Sequence, residues 1–568
     1  MRRSATNAMA ALIGAMGLLA MISCKSRQIP PSTPMTPFDY ATTWQRIDSL
    51  EGRELLQSAL TMTGTLHRAA VQEKNAPQII KSAIYLNKYA VHLNEDGLVH
   101  AIEGMEEVLI NTEGTTQAVM YSLTAELYAT YLQQNAWQLR DRTSTGGEPG
   151  EDIRTWDITQ LIARINHYYL QSLVEPALKS TPVAQFEAIL HESNTDSLRP
   201  AMFDVLAHRA IDYFQQDVAF VTEPVYALEL TDPQLLSPWN DFINVRIATT
   251  DDDSYKLQVL NLFRQILQFH SGDTDPAALI DADLKRLQFV HNHLVHEDKD
   301  SLYLVALQTL REPHSSHPSS AEITYFIAEH FYAMGMAHPG DPDRKWALVE
   351  ARELCASAIA EHPGTYGAIH CQSLLSRLLA PTLQVETEEV WIPGEHHLLH
   401  WRYGNVDRAY LRVVSLSHQE TEPLTGRPED IVRFLLRQPR VMEGHVDLGG
   451  TEDLRTHTTE SALQPLGKGR YAVLISDQPG FGTSGITAFA EFQVSQLAFW
   501  MEHDREEARF VIVDRRSGMP RAGVQVDLYT RRYDAGTRTS VLQHLEKSVT
   551  SSDGLVPVRT DADTRSLV

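Results

Sequence analysis

The sequence predicts a multidomain α+β protein: an irregular array of α-helical hairpins followed by antiparallel β-sandwiches. Two observations carry this. Over residues 39–380 apolar side chains recur three and four positions apart, the spacing of a helix with one buried stripe. Beyond Pro381 the spacing drops to two, as in strands with one buried face. At 568 residues the chain is long enough for three or four hydrophobic cores.

The first segment is a leader. Met1, Arg2 and Arg3 precede an uncharged, mostly apolar run over residues 8–22, which meets the small Ser23 and then Cys24. Residues 1–23 therefore read as a signal peptide, too short to span a bilayer comfortably as a helix. A small residue before a cysteine resembles the processing site of bacterial lipoproteins, with Met21 where Leu is usual. The mature chain is expected to begin at Cys24 with lipid on its sulfur. It would then be held in the cell envelope, periplasmic or cell-surface facing. Each buried methylene contributes roughly 0.8 kcal/mol, so several acyl chains hold a protein on a membrane essentially permanently. Residues 24–38 carry Pro30, Pro31, Pro34 and Pro37 among Ser, Thr and Gln, the composition of a flexible tether. No later stretch has the length and apolarity of a membrane span.

The helical section, residues 39–380, is marked by stripes such as Ile79, Ala83, Leu86, Ala90 and Leu93. Phe203, Leu206, Ala207, Ala210, Ile211 and Phe214 form another, introduced by Pro200. Residues 142–150 and 222–239 read as loops, and Asp275 before Pro276 as a helix cap. Asp251, Asp252 and Asp253 lack the glycine and glutamate of a calcium loop. They read as a charged start for the helix carrying Leu257 and Leu260. Ala351, Ala358 and Pro363 are spaced like the second helix of a tetratricopeptide repeat. Cys355 and Cys371 lie eight residues before and eight after Pro363, which with Gly364 would turn the chain between antiparallel helices. Equal height and an exported setting favour a disulfide between them, two buried free thiols being the alternative.

The first sandwich is expected over residues 381–498. Leu399, Trp401 and Tyr403 alternate with His400 and Arg402, and Ala409, Leu411 and Val413 form a second alternation. Further strands read over residues 441–448, 454–460, 470–476 and 487–494. A second sandwich begins at residues 505–568 with strands near 511–513 and 524–528 and a turn at Ser552, Asp553 and Gly554. Val568 is reached before it could close.

Motifs for chemistry are sparse. Gly480, Gly482 and Gly485 spell G-x-G-x-x-G, but a strand rather than a helix follows, so a hairpin is the expected reading. His291, His293 and His296, then His314 and His317, then His396, His397 and His400 match no zinc spacing. The last group is expected on solvated surface. There is no G-x-S-x-G elbow. No metal, no cofactor and no enzymatic activity are expected. A formal charge of -24 argues against nucleic acid as a partner.

Four segments carry a resemblance. They are Ser122-Leu123-Thr124-Ala125-Glu126-Leu127-Tyr128, Asp152-Ile153-Arg154-Thr155-Trp156-Asp157, Phe203-Asp204-Val205-Leu206-Ala207-His208-Arg209-Ala210, and the stretch from Asp514 through Ser517-Gly518 and Pro520 to Ala522-Gly523-Val524. Together they resemble the N-terminal part of bacterial alpha-2-macroglobulin family lipoproteins. The resemblance implies a lipid anchor, a helical section and macroglobulin-like β-sandwiches in an endopeptidase inhibitor that traps proteases. In many members a C-x-E-Q thioester couples to the attacker. Cys355 is followed by Ala356 and Ser357, and Cys371 by Gln372 and Ser373, so neither can form one. The chain is expected to be an N-terminal fragment supplying anchor and scaffold, meeting target proteases through regions beyond Val568. The competing reading is a binding lipoprotein with a tetratricopeptide-like scaffold, such as a glycan-capture partner of an outer-membrane transporter. Such a protein shares the anchor and helices but not a two-sandwich tail.

Overall fold

The computed structural model describes residues 38–558, apart from 141–149, 151, 191–197, 217–226, 252, 339, 418–423, 425, 483–484, 505–506 and 535–538. The leader, Cys24 and nearly all of the tether lie outside the described residues.

The chain forms two compact units. The first holds α1 (Tyr40–Glu51), α2 (Leu56–Glu73), α3 (Ala76–Leu93), α4 (Gly97–Ile110), α5 (Gly114–Arg140), α6 (Ile158–Gln171) and the opening turns of α7 (Met202–Phe214). Each of α1 to α5 packs on the next, as short connections between antiparallel helices require. Local chemistry sets the starts. Asn75 accepts from the Gln78 N–H, and Pro77 falls in the first turn, where a missing donor costs nothing. Asp157 and Gln160 cap one another's backbone at α6, a reciprocal box that satisfies two otherwise orphaned donors. Trp44, Ile47, Ala59, Leu66 and Tyr89 close a core between α1, α2 and α3.

The second unit continues with α8 (Trp239–Phe242), α9 (Tyr255–His270), α10 (Ala277–His293), α11 (Lys299–Arg311), α12 (Ser320–Ala337), α13 (Ala347–Glu361) and α14 (Tyr366–Leu378). From α9 onward each helix again packs on the next, and α14 returns against α12. Among the contact residues of this last trio, Ala321, Ala328, Ala351, Cys355, Ala358 and Cys371 are small and buried, beside Leu348, Leu374 and Leu378. Small side chains let helix axes approach closely. Asp275 accepts from the Ala277 N–H at 2.9 Å, which is the expected cap on α10. Asp251 instead accepts from the Leu228 N–H, so α9 starts at Ser254 without the acidic cap expected from the sequence.

The β part of this unit comprises β1 (Thr382–Glu386), β2 (Val390–Trp391), β3 (His397–Gly404), β4 (Arg408–Leu416), α15 (Pro428–Leu435), β5 (Arg440–Asp447), β6 (His457–Leu463), β7 (Gly469–Ser476) and β8 (Thr487–Val494). A five-stranded sheet, β2-β8-β7-β4-β5, faces a three-stranded sheet, β1-β3-β6. Pairing is antiparallel except between β2 and β8. Leu399, Trp401, Val413, Val473 and Phe492 lie in the core between the sheets. β7 is apolar on both faces because Val473 and Ile475 enter that core while Ala472 and Leu474 meet Ile431 and Leu435 of α15.

The second β stretch holds β9 (Leu497–Asp504), β10 (Glu507–Asp514), β11 (Gln525–Asp534), β12 (Thr539–Val549) and β13 (Leu555–Val558). Strands β13, β10 and β9 form one sheet, and β11 and β12 form a two-stranded ribbon. The multidomain α+β architecture is therefore the one the sequence predicts.

Candidate functional site

Cys24, the expected lipid site, lies outside the described residues. Cys355 on α13 and Cys371 on α14 are fully buried in one core cluster, brought together across the Pro363–Gly364 turn as their equal distance from it requires. In this structure both are free thiols, the alternative that the sequence left beside the disulfide. The neighbouring Cys355 thiol, and then burial, pushes the Cys371 thiol above its ordinary range.

The histidine groups divide. His396 and His400 are exposed, as expected, but His397 is 8% exposed and lies flat on Trp391. His291 donates to the Asp300 carboxylate (2.7 Å) and stacks on Tyr303. Among the described residues no group of three or more His, Cys, Asp or Glu side chains is arranged to hold a metal ion. In the glycine-rich turn, Phe481 is buried against α15 and β8 continues the chain as a strand.

In the first unit, the three helical segments carrying the resemblance converge. Tyr128 of α5 stacks on Trp156 at 5.7 Å, and the Trp156 indole donates to the Gly150 carbonyl. Arg209 of α7 donates to Ser122 (2.9 Å) and pairs with Glu126, both on α5. Behind the stack, Glu106 of α4 accepts from the Tyr128 and Tyr168 hydroxyls, each at 2.8 Å, and lies 3.4 Å from Arg164. Burial, followed by the bond to the Glu106 carboxylate, pushes the Tyr168 phenol up to about 12. Both tyrosines thus remain neutral donors at every physiological pH.

The fourth segment is a locked turn. Asp514 accepts from the Ser517 N–H (2.9 Å) and hydroxyl (3.0 Å) and pairs with Arg521, which holds its carboxyl well below the usual range. Gly554 completes it, since a side chain there would meet the Ile512 carbonyl.

The second unit also contains a cleft of about 320 Å³ between the starts of α10 and α12 and the α13–α14 turn. Ile280, Leu284 and Pro318 give it apolar walls, and Asp281, Ser319 and Glu322 supply polar groups. Asp281 is balanced by Lys285 (2.8 Å) and Arg199 (3.7 Å). Nothing in the sequence marked this cleft, because its lining is drawn from separate helices with no spacing in common.

No family model matches the chain, and no curated protein does. Among solved structures the chain is similar to alpha-2-macroglobulin from Escherichia coli spanning domains MG0-NIE-MG1. The identity is 15% over 33% of this chain and 60% of that one, with a TM-score of 0.23. A shorter Escherichia coli fragment, spanning NIE-MG1, is similar at 15% identity over 33% of this chain and 90% of that one, TM-score 0.23. A CARDB domain from Pyrococcus furiosus is similar at 12% identity over 20% of this chain and 88% of that one, TM-score 0.14.

Proposed function

We propose that this chain is the anchored N-terminal scaffold of an alpha-2-macroglobulin-like endopeptidase inhibitor of the bacterial cell envelope, held on a membrane by lipid on Cys24. The observation that carries the reading is the order of parts: a leader ending at Ser23, a proline-rich tether beginning at Cys24, packed helices, then β-sandwich modules. The segments that resemble the family support it, because those of the helical section pack on one another instead of lying scattered. In this reading the residues supply anchor and scaffold, carry no catalytic group, bind no cofactor or nucleic acid, and leave contact with target proteases to other parts of the protein. Among the described residues no helix is long and apolar enough to cross a membrane.

The test has two arms. Cells fed labelled palmitate should yield labelled wild-type protein in the membrane fraction, while Cys24→Ala should be unlabelled and recovered in the soluble fraction. Protein extracted from membranes and mixed with an endopeptidase should slow the cutting of a large protein substrate while a short peptide substrate is still cut. Unlabelled, soluble wild-type protein would overturn the anchor, and equal cutting of the large substrate with and without the protein would overturn trapping.

A further inference from the structure

A glutamate in the third position of a helix ordinarily reaches back to the N-cap backbone. Glu322 holds that position on α12, yet Ser319 makes no side-chain cap bond and the carboxylate turns toward α14. Its Oε1 lies 3.0 Å from the His370 Nδ1. His370 is held by ring contacts with Tyr366 (4.1 Å) and Tyr325 (4.9 Å), so the carboxylate has a fixed neighbour on one side. Its Oε2 is buried and has no hydrogen-bond partner. Burial pushes the Glu322 carboxyl up, which is the mark of an acceptor shielded from water and not offset by a full counter-charge.

Glu322 is one of the residues that line the 320 Å³ cleft, together with Ser319, Ile280 and Leu284. The other carboxylate of the cleft, Asp281, has Lys285 and Arg199 as cations, so Glu322 is the one whose acceptor is unmet. The volume lies at the lower end of small-ligand sites, about 300–1,000 Å³. A guanidinium binds a carboxylate best through both oxygens, and here one is taken by His370. A point-like ammonium on an alkyl stem needs only one acceptor and apolar walls.

We infer that this cleft binds a primary alkylammonium, with Glu322 as its acceptor and Ile280 and Leu284 packing its methylenes. The chemistry is shared by free aliphatic diamines and by lysine side chains, and the test separates the two. Purified full-length protein is titrated calorimetrically at neutral pH with 1,5-diaminopentane, with Nα-acetyl-lysine amide, and with the corresponding arginine amide. Saturable binding is expected for at least one of the first two, with the arginine ligand at least tenfold weaker. Binding of the diamine alone assigns a free amine, and binding of the lysine amide assigns a side chain. Glu322→Gln should weaken binding at least tenfold. Because that change also touches the α12–α14 contact, Ser319→Phe, which fills the cleft and leaves the carboxylate, should abolish binding with an unchanged helical circular dichroism spectrum. No saturable binding of either amine to wild-type protein overturns the inference, as does binding that Glu322→Gln and Ser319→Phe leave intact.

Discussion

The ring of His397 lies on Trp391, and Trp391 stacks in turn on Phe492, with centroids 3.9 Å apart in both pairs. Burial lowers the affinity of His397 for a proton below the ordinary imidazole value of 6.5, and its Nε2 is buried without a partner. The sign follows directly. The unfolded chain takes up a proton near 6.5 while the folded chain resists it, so this contribution is fully present above that pH. It is lost as pH falls through the lowered folded value. His67, His314 and His330 are held low by burial in the same way, so they add to the acid sensitivity. We expect His397→Phe, which keeps a ring on Trp391 and cannot ionise, to be at least as stable as wild type at about pH 7.5. Its urea midpoint should fall less between about pH 7.5 and 5.5. Identical slopes for the two proteins would sink this account. Sequence alone placed His396 and His400 correctly on the outer face. It missed His397 because strand β3 begins there, with Leu399, Trp401 and Tyr403 following on the same inward face. Adjacency to two surface histidines concealed that register.

At the scale of the elements, close helix contact is what the sequence showed least. Ala351 and Ala358 were legible as small contact residues because their spacing matches a helical repeat, and both are buried where α12, α13 and α14 meet. Gly367 gave no such signal, yet a Cβ built on it would stand 2.2 Å from the Glu322 backbone nitrogen and 2.3 Å from the Ala321 carbonyl carbon. Backbone cannot swing aside as a side chain can, so Gly367→Ala must push the first turn of α14 off α12. Overpacking of this kind costs about 1–3 kcal/mol, despite the gain in intrinsic helix propensity. Gly340→Ala, which meets open space, is the control and should shift stability by less than about 0.5 kcal/mol. Chemical denaturation of the two variants checks this, and equal midpoints would show that α14 accommodates the methyl group. Other elements escaped the sequence for related reasons. Helix α15 spans Pro428–Leu435, too short for a 3.6-residue period to establish itself. Strand β6 begins at His457, three residues later than its alternation suggests, because Leu454 adopts a left-handed backbone and packs against the helical cluster instead.

On the scale of the whole molecule, the sequence marks a change of period near Pro381 but not whether the joint there is loose or stiff. Within the second unit it is stiff. The Asn405 side chain, on a left-handed residue between β3 and β4, donates to the Leu378 carbonyl at 2.8 Å and the Ala380 carbonyl at 3.1 Å, binding the frayed end of α14 to the first sandwich. Arg455 donates to the Arg344 carbonyl at 2.5 Å, and Leu454 inserts among the apolar residues of α12 to α14. Carbonyls at a helix end have no intrahelical partners, so a side chain that supplies donors both caps the helix and fixes its neighbour. Asn405→Gly removes the amide while keeping a residue that tolerates the positive φ, and should cost about 1–3 kcal/mol of docking through the lost bonds. The two parts should keep their own cores, since neither the α12–α14 cluster nor the intersheet cluster contains Asn405. Limited proteolysis should therefore release a fragment cut near residues 379–381 several-fold faster from Asn405→Gly than from wild type, with circular dichroism unchanged. Equal cutting rates would mean that Arg455 and Leu454 hold the joint without Asn405, and cutting elsewhere would place the weak point outside it.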